Sequence, residues 1–513
     1  MATSHECAVS GRSATFIPPM TLDFNIETPL YRQISTWFQR AILSGKLQPG
    51  QRVPSTRALA KELKVSRIPV LSAYELLIAE GYLQTFVGAG TCVSESIPDA
   101  LFRPETEGLP DAIVFDPEPQ PQARRTVSRR AAGMGGAARS WLQRARGCTN
   151  LEQFPAAIWS KLLGRHARKT SRELMGYGDP MGYGPFREAV AEYLGAFRAV
   201  KCDPSQLMVT TGSQQALQIA ALALLDPKDS AWIEEPGYPG THQALKAAGA
   251  RLVPVPVDGE GLNVAYGIER ARRARAAFVT PAHQFPLGVT MSAVRRIELL
   301  SWARANSAWL IEDDYDSEFR FSGNPFASLQ GLDGDGPVIY LGTLTKVMFP
   351  TLRLGYIVLP KDLMRSFLDV RNAGDTVATS VLYQMAMTDF IREGHFSRHI
   401  RRMRALYMEK RNALVAAIGA QADGTLEVVG DQAGLLLTTL LPAGVDDVEI
   451  SRKVPSGSAT IYPLSECCLS PPSRGGLMLG YGNLGLQEMP AFVGALKSII
   501  HANMPRQRSA SAA

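Results

Sequence analysis

The sequence predicts two folded domains: a small, mainly helical N-terminal domain that ends in a β-hairpin, and a large α/β domain with a mostly parallel sheet and a smaller α+β lobe. The chain has 513 residues, of which 45% are hydrophobic and 20% charged, and this length exceeds what one compact core accommodates. Helical hydrophobic periodicity near the N-terminus gives way, after residue 200, to short apolar runs separated by helical stretches. We assign residues 25–94 to the first domain, 95–149 to a flexible linker and 150–503 to the second domain.

The N-terminal domain begins with an amphipathic helix whose predicted inward side chains are Leu30, Ile34, Trp37 and Ile42. A second helix is expected to begin after Ser55, which is a favourable N-cap residue. After a sharp turn, a third helix is expected to open at Ser66 and to bury its apolar face. A hairpin whose turn contains Gly88 and Gly90 is expected to close the unit.

Two helices joined by so short a turn form a helix-turn-helix, whose second helix can enter the major groove of DNA. The hairpin would act as a wing, because glycine lets the backbone approach a sugar-phosphate chain closely. Arginines of this unit could bridge phosphates or read guanine edges. An isolated arginine is more often a solvated surface charge, but the helix-turn-helix favours DNA. The candidate DNA-binding residues are Arg52, Ser55, Arg57, Ser66, Arg67, Gly88 and Gly90.

The linker lacks apolar periodicity and is rich in proline, glycine, alanine, serine and arginine. Seven of its arginines fall between Arg124 and Arg146. They indicate either added affinity for phosphates or a solvated tether, and the sequence leaves both interpretations open.

Seven short apolar runs predict the strands of the large domain, because continuous apolar strands separated by helices are typical of a mostly parallel sheet. They are Leu207–Thr211, Ala231–Ile233, Leu252–Val257, Ala277–Thr280, Trp309–Ile311, Val338–Leu341 and Gly355–Leu359. A long helix over Phe396–Ala417, followed by strands and turns, predicts the smaller lobe.

The composition excludes several classes of protein. No apolar run approaches the roughly 18 residues of a membrane-spanning helix, and the N-terminus lacks the pattern of a secretion signal. The six cysteines show no Cys-x-x-Cys spacing, so we expect neither a disulfide framework nor a metal site. We therefore expect a cytoplasmic protein with no membrane partner.

The segment Tyr340–Tyr356 (YLGTLTKVMFPTLRLGY) resembles the lysine segment of the fold-type I pyridoxal-phosphate (PLP) proteins. The resemblance implies that the amine of Lys346 condenses with the aldehyde of the cofactor. It also implies that Thr343 and Thr345 supply hydroxyl donors and that Arg353 binds the phosphate.

Upstream, Ile311–Asp316 (IEDDYD) ends an apolar strand with carboxylates and a phenol. A buried carboxylate that faces the pyridine nitrogen keeps it protonated, and a phenol can hydrogen-bond the ring oxygen. By resemblance, Asp313 takes the first role and Tyr315 the second. Asp314 is the alternative partner of the pyridine nitrogen. If it does not have that role, we expect it to be a solvated acid in a loop.

Three further motifs are similar to those of PLP proteins. Thr211–Ala216 (TGSQQA) closes a strand and opens a helix, where backbone N–H groups can hold a phosphate, and Ser213 and Gln214 are its candidate residues. Glu235–Pro239 resembles a turn that lays an aromatic ring, here Tyr238, on the pyridine ring. Tyr177 matches a position that usually reaches the cofactor phosphate of the neighbouring subunit.

The N-terminal domain resembles the winged-helix head of the GntR superfamily through Pro29–Tyr31 (PLY), Leu47–Ser55 (LQPGQRVPS) and Glu80–Leu83 (EGYL). Its fusion to a fold-type I aminotransferase-like domain resembles the MocR subfamily of transcriptional regulators. This resemblance implies a homodimer that binds PLP, contacts paired half-sites of double-stranded DNA and senses a small amine, an amino acid or PLP itself. Leu71 departs from some GntR members, which carry a basic contact residue there.

The large domain also departs from ordinary aminotransferases. By resemblance, ordinary aminotransferases carry an asparagine close to the position of Phe285, and that asparagine hydrogen-bonds the ring oxygen of the cofactor. In this chain, His283 or Gln284 would have to take over that hydrogen bond. Met478 aligns with an arginine that binds the substrate carboxylate in many aminotransferases, and Arg474 could substitute only if its loop folds inward. We therefore expect a regulator rather than an efficient transaminase.

Two alternatives stay open at this point. One is an active aminotransferase with an accessory DNA-binding head, which turnover of an amino donor would favour. The other is a DNA-binding protein whose large domain is a cofactor-free dimerisation scaffold, although the intact set of Lys346, Asp313, Tyr315 and Arg353 speaks against it.

Overall fold

The structure is a computed structural model that describes residues 20, 22–23, 28–86, 90–95, 149–169, 175–321, 327–333, 336–375, 380–430, 432–455 and 459–504. The described residues fall into two compact units, one on each side of residue 124. Gly88 and residues 96–148 of the predicted linker lie outside the described residues. The boundaries assigned to the domains therefore stay predictions.

The first unit contains three helices followed by a hairpin of two antiparallel strands. The helices are α1 (Leu30–Leu43), α2 (Thr56–Glu62) and α3 (Arg67–Ala79), and the strands are β1 (Leu83–Phe86) and β2 (Gly90–Val93). Ile34 and Ile42 of α1 are buried as predicted, but Phe38 rather than Trp37 occupies the centre of the core. Phe38 lies one helical turn after Ile34, whereas Trp37 is half-buried and packs its edge on Phe38 at 5.2 Å.

Both predicted N-cap residues precede the expected helices. The hydroxyl of Ser55 accepts a hydrogen bond from the backbone N–H of Ala58 at 3.2 Å. Ser66 occupies the N-cap position of α3, but in the described structure its side chain makes no capping bond. The third residue of that helix is Pro69, which has no N–H, so one of the two backbone donors that an N-cap side chain can use is missing.

The second unit consists of a large sheet covered by helices and a smaller lobe. Its α-helices are α4 (Ala156–Ala167), α5 (Gly184–Arg198), α6 (Ser213–Leu224), α7 (Pro239–Ala248), α8 (Val264–Ala271), α9 (Ala293–Asn306), α10 (Leu329–Asp333), α11 (Met364–Gly374), α12 (Val381–Arg392), α13 (His395–Gln421), α14 (Asp447–Lys453) and α15 (Met489–Ala502). Its strands are β3 (Leu207–Thr210), β4 (Ser230–Glu235), β5 (Arg251–Asp258), β6 (Gly261–Leu262), β7 (Ala276–Val279), β8 (Trp309–Asp314), β9 (Val338–Thr343), β10 (Gly355–Val358), β11 (Glu427–Val429), β12 (Leu436–Leu440), β13 (Thr460–Pro463) and β14 (Gly476–Gly480).

The large sheet has the strand order β3-β10-β9-β8-β7-β4-β5-β6. All seven predicted strands are present, and β9, β8, β7, β4 and β5 run parallel to their neighbours in that series. Strand β10 is antiparallel to both β9 and β3. The short connection after β9 suits the antiparallel pairing with β9, since parallel pairing needs a longer crossover. The sheet is thus mostly parallel, as the apolar runs predict.

The smaller lobe contains an antiparallel sheet with the order β11-β12-β14-β13. The long helix α13 begins one residue before and ends four residues after the predicted Phe396–Ala417 helix. Buried side chains of α13, α15 and this sheet belong to the same hydrophobic core as one face of the large sheet. The α+β lobe of the sequence prediction is therefore confirmed.

The carboxyl ends of β3, β4, β7, β8 and β9 lie at one edge of the large sheet, since these strands run in the same direction. In open α/β sheets, ligands bind outside the carboxyl ends of the strands. The predicted motifs around Ser213, Tyr238, Asp313 and Lys346 lie at or just after the ends of four of these strands, so the topology gathers residues that are far apart in sequence.

Candidate functional site

A cavity of about 1250 Å³ opens at this edge of the large sheet. Nine of the ten predicted cofactor-binding residues line it: Ser213, Gln214, Tyr238, Asp313, Tyr315, Thr343, Thr345, Lys346 and Arg353. The tenth, Tyr177, is 77% exposed and is absent from the described lining. The structure therefore brings the motifs together around one site, apart from the residue expected to serve a neighbouring subunit.

Lys346 lies in the turn that follows β9 and is half-buried. The backbone N–H of Thr345 donates to the hydroxyl of Thr343 at 3.2 Å, which ties this turn to the strand end. The Thr345 hydroxyl is buried with no hydrogen-bond partner among the described residues. The turn thus presents an amine and a free hydroxyl to the same cavity.

A candidate phosphate subsite forms where Arg353 meets the N-terminus of α6. A Cβ atom built on Gly212, the residue before α6, would lie 3.6 Å from the Arg353 guanidinium, so the two elements are in close approach. Gly212 has a φ of 112°, a conformation that favours glycine. A helix N-terminus and a guanidinium both attract anions, and here they converge beside Ser213.

Asp313 and Asp314 point to opposite faces of β8, because successive side chains of a strand alternate. Asp313 lines the cavity, and its Oδ1 is buried without a hydrogen-bond partner in the described part of the chain. Burial, followed by the negative charge of Asp314 and other nearby carboxylates, raises the pKa of Asp313 to about 7, while Lys346 opposes the shift. A cationic ring nitrogen in the cavity would give this carboxylate the partner that the protein does not provide.

Asp314 is buried and paired, not a solvated loop acid. Its Oδ2 accepts hydrogen bonds from Arg198 Nε at 2.8 Å and from the Tyr340 hydroxyl at 2.5 Å. It also lies 2.6 Å from the second guanidinium nitrogen of Arg198. Because these groups hold Asp314 on the opposite face of β8, the geometry favours Asp313 as the residue that faces the cofactor.

Glu234, which the motifs did not single out, is a second buried carboxyl near Asp313. It accepts hydrogen bonds from the backbone N–H of Thr280 at 3.1 Å and from the Thr280 hydroxyl at 2.5 Å, and Gln284 Nε2 donates to it at 3.3 Å. Burial raises the pKa of Glu234 to about 7, although these hydrogen bonds oppose the shift. Asp313 and Glu234 thus both have a pKa raised to about 7, but of the two only Asp313 is part of the described cavity lining.

Neither His283 nor Gln284 lines the cavity in the described structure, whereas Phe285 does. Gln284 Nε2 donates to the carbonyl oxygens of Phe285 at 2.6 Å and Pro236 at 2.9 Å, so its amide is occupied. His283 lies behind Tyr315, with its Nδ1 3.0 Å from the Tyr315 hydroxyl. Of the two candidates, only His283 can influence a ring oxygen, and it would do so through Tyr315.

His283 is itself held by a buried carboxylate. Its Nδ1 lies 3.0 Å from Oδ1 of Asp316, and both side chains are almost fully buried. Burial, followed by the charge of Asp316, raises the pKa of Tyr315 well above its ordinary value. Tyr315 therefore stays protonated and can donate a hydrogen bond into the cavity.

Tyr238 is positioned by close packing around Gly240. A Cβ atom on Gly240 would lie 2.2 Å from Gln214 Oε1 and 2.3 Å from the Tyr238 ring, so only glycine fits there. Gln214 Nε2 donates to the Gly240 carbonyl at 3.0 Å. Burial and the charge of Asp313 raise the pKa of Tyr238 to about 12, so this ring presents a neutral aromatic face.

The two residues considered for a substrate carboxylate lie elsewhere. Met478 is fully buried in β14, between Thr438 of β12 and Tyr462 of β13. Arg474 forms an ion pair with Glu427 at 2.5 Å and donates to the carbonyl of Leu441. Within the described lining, Lys346 and Arg353 are the only lysine and arginine.

One wall of the cavity consists of aromatic side chains from distant parts of the chain: Phe154, Trp159, Phe349 and Tyr383. The ring centroids of Phe154 and Phe349 are 5.0 Å apart, and those of Trp159 and Phe349 are 5.7 Å apart. Sequence reasoning missed this wall because no motif links residues so widely separated. Among the described residues there is no cluster of His, Cys, Asp or Glu that could hold a metal, and no helix that could cross a membrane.

In the first unit, the predicted DNA-contacting residues that are described lie on α2, α3, the loop before α2 and the hairpin. Those exposed to solvent are Arg52, Ser55, Arg57, Ser66, Arg67 and Gly90. Arg67 Nε donates to the Thr56 hydroxyl at 3.2 Å, which joins the beginnings of α2 and α3. Residue Arg52 pairs with Cys92 of β2, so the loop before α2 continues the hairpin sheet.

Comparison with known proteins identifies the family of each unit. Residues 30–93 match the family of bacterial regulatory proteins described as the gntR family, and residues 150–462 match the family described as aminotransferase class I and II. The chain is 37% identical over 93% of its length to the probable rhizopine catabolism regulatory protein MocR of Rhizobium meliloti, of which the match covers 95%. The chain belongs to the MocR-type transcriptional regulators of the GntR family.

Other regulators and solved enzymes extend the comparison. The transcriptional regulator TauR of Rhodobacter capsulatus is 32% identical over 85% of this chain and 88% of its own. Kynurenine aminotransferase of Pyrococcus horikoshii, solved with PMP, superposes with a TM-score of 0.68 at 25% identity over 75% of this chain and 98% of its own. The large unit of this MocR-type regulator thus has the fold-type I aminotransferase fold, and its GntR-type head implies DNA binding.

Proposed function

We propose that this MocR-type regulator binds PLP through Lys346 and that an amine effector, or PLP itself, alters its binding to DNA. The observation that carries the proposal is Asp313 Oδ1, a buried acceptor without a described partner, facing a cavity that also contains the lysine and a phosphate subsite. When bound, PLP supplies an aldehyde that condenses with amines and a ring that withdraws electrons.

Each group of the chain has a distinct task in this proposal. Arg353 and the N-terminus of α6 would hold the phosphate, and Asp313 would pair with the ring nitrogen. The ring of Tyr238 would pack against the cofactor, and the Tyr315 hydroxyl would donate a hydrogen bond to it. The fit is supported by donors and acceptors that lack partners within the described protein, namely Asp313 Oδ1 and the Thr345 hydroxyl.

The lining favours an effector that carries an amine but no carboxylate. Lys346 and Arg353 are the only described lysine and arginine of the lining, and the cofactor uses both. Among the described residues of its own chain, the lining would then offer an effector carboxylate no further cation to offset the cost of desolvation. The aromatic wall, by contrast, can pack against an apolar body or attract an ammonium group.

A homodimer completes the proposal. Tyr177 is exposed and lies away from the described cavity lining of its own chain, which supports a role at the cofactor phosphate of a second subunit. Two heads would then contact paired half-sites. The effector acts by binding one arrangement of the dimer more tightly than the other.

The test is a gel shift on the DNA upstream of the protein's own gene, with and without PLP and a series of amines. Wild type is compared with Lys346→Ala and with Lys361→Ala. The second variant is the matched control, because Lys361 is exposed and is not part of the described lining. We expect PLP and amine to change the shift of wild type and Lys361→Ala but not of Lys346→Ala. Identical shifts in every condition would defeat sensing while leaving DNA binding intact.

The same preparations distinguish a regulator from an enzyme. An amino donor and a keto acid are added together, and product is measured over many turnovers. We expect no sustained turnover, because neither Met478 nor Arg474 provides a carboxylate clamp in the described cavity. Sustained turnover that disappears in Lys346→Ala would favour the aminotransferase alternative.

A further inference from the structure

The most exposed large apolar side chain among the described residues of the first unit is Ile68, which is 74% exposed. Leu71 is 40% exposed on the same helix, α3. Exposed isoleucine and leucine forfeit the stabilisation that burial would give them. Neither side chain is needed for the core, which α3 contacts through Val70, Tyr74 and Leu77.

The two side chains lie where a helix-turn-helix reads bases. Ile68 is the second residue of α3 and Leu71 the fifth, so they are neighbours one turn apart on the face away from the core. In helix-turn-helix proteins, the N-terminal residues of the second helix contact base edges in the major groove. An apolar pair in this position would therefore face the base edges of bound DNA.

The charges around this pair favour nucleic acid as the partner. Arg67 precedes Ile68 and is exposed, and exposed Arg57 directly follows Thr56, whose hydroxyl accepts a hydrogen bond from Arg67. The first turn of α3 contains no acidic residue. Cations beside an apolar pair match a groove whose rims are phosphates and whose floor carries methyl groups.

We propose that Ile68 and Leu71 determine specificity by packing against the C5-methyl groups of thymine in the major groove. Thymine presents a methyl group there, whereas the exocyclic amines of cytosine and adenine would lose a hydrogen bond to water against an aliphatic side chain. This inference rests on the proposed DNA-binding function and assigns to it the chemistry of the bases that are read.

The experiment begins with selection of a high-affinity duplex from a randomised library by the full-length protein. Each thymine of the selected duplex is then replaced singly by deoxyuridine, which removes only the methyl group. Where the two half-sites are equivalent, both thymines are replaced. We expect a loss of about fourfold for each methyl group contacted, and roughly 15-fold for a symmetric pair.

Variants assign the methyl contact to a side chain. In Ile68→Ala and Leu71→Ala, the ratio of thymine to deoxyuridine affinity should fall towards one at the position that each residue contacts. Ile78→Ala is the matched control, because Ile78 is 41% exposed at the other end of α3. It should keep the wild-type ratio at every position.

Four results would overturn the inference. A selected duplex that binds equally well with deoxyuridine at every position would show that no methyl group is read. A ratio that survives in both Ile68→Ala and Leu71→Ala would assign the methyl contact elsewhere. Variants that change only self-association would show that the pair contacts protein. A chain that selects no duplex would overturn DNA binding as well.

Discussion

Asp313→Asn removes the charge that faces the cavity and keeps the size of the side chain. Asp313 is only 6% exposed, and its Oδ1 has no hydrogen-bond partner in the described protein, so a cofactor nitrogen would be its main partner. Removing one member of a buried, hydrogen-bonded charge pair costs about 2–5 kcal/mol. The affinity for PLP should therefore fall by roughly 30-fold to several-thousand-fold.

The size of this loss of PLP affinity should depend on the pH of the assay. Burial raises the pKa of Asp313 to about 7, so at pH 7 a large fraction of the cofactor-free protein carries it uncharged. That fraction must lose a proton before it can pair with a protonated ring, which weakens wild-type binding. We expect the difference between wild type and Asp313→Asn to be smaller at pH 6 than at pH 8.

The assay is a titration of cofactor-free protein with PLP, followed by visible absorbance at both pH values. Asp314→Asn is the matched control, because it changes the adjacent carboxylate on the opposite face of β8. Loss of its charge leaves Arg198 buried and unpaired, so unfolding should become easier by about 3–5 kcal/mol. Because burial and also the charge of Asp314 raise the pKa of Asp313, the affinity of Asp314→Asn for PLP is compared with wild type on folded protein at pH 8, where it should stay within about threefold.

The reverse result would refute the reasoning. If Asp313→Asn bound PLP as wild type does and Asp314→Asn did not, then Asp314 would be the partner of the ring nitrogen. The assignment of the two carboxylates to opposite faces of β8 would then be wrong for the bound state.

Three further predictions concern other parts of the chain. Burial raises the pKa of Glu234 to about 7 from an ordinary value of 4.5, so folding takes up a proton between these values and stability should fall as the pH rises from 5 to 7. Thermal unfolding of Glu234→Gln should show a weaker fall, and an unchanged slope would contradict this. Gly240→Ala should overpack the site, cost about 1–3 kcal/mol and weaken PLP binding, whereas Gly419→Ala, on an open helix surface, should do neither. Unfolding and PLP titration of both variants provide the test, and a tolerated Gly240→Ala would contradict the packing argument. Arg57→Ala should weaken binding to all duplexes alike. It should also reduce the slope of log affinity against log salt concentration by about one, because one phosphate contact is lost. A change of sequence preference would instead identify Arg57 as a base contact.

The sequence by itself determined the architecture and the order of the motifs. Strand positions follow from local apolar runs, and all seven predicted strands are present because burial on both faces of a parallel sheet requires such runs. The motifs around Lys346, Asp313 and Tyr238 also depend on short stretches of sequence. These motifs line one cavity because the strands that carry them end at the same edge of the sheet.

Only the tertiary structure decided which neighbours each side chain meets. Alternation along β8 predicts that Asp313 and Asp314 face opposite ways, but the position of Arg198 decides which of them faces the cavity. In the same way, Phe285 lines the cavity, whereas Gln284 donates hydrogen bonds to carbonyl groups of the protein and is absent from the described lining. Contacts between residues far apart in the chain leave no local pattern, since they arise only when separate elements pack together.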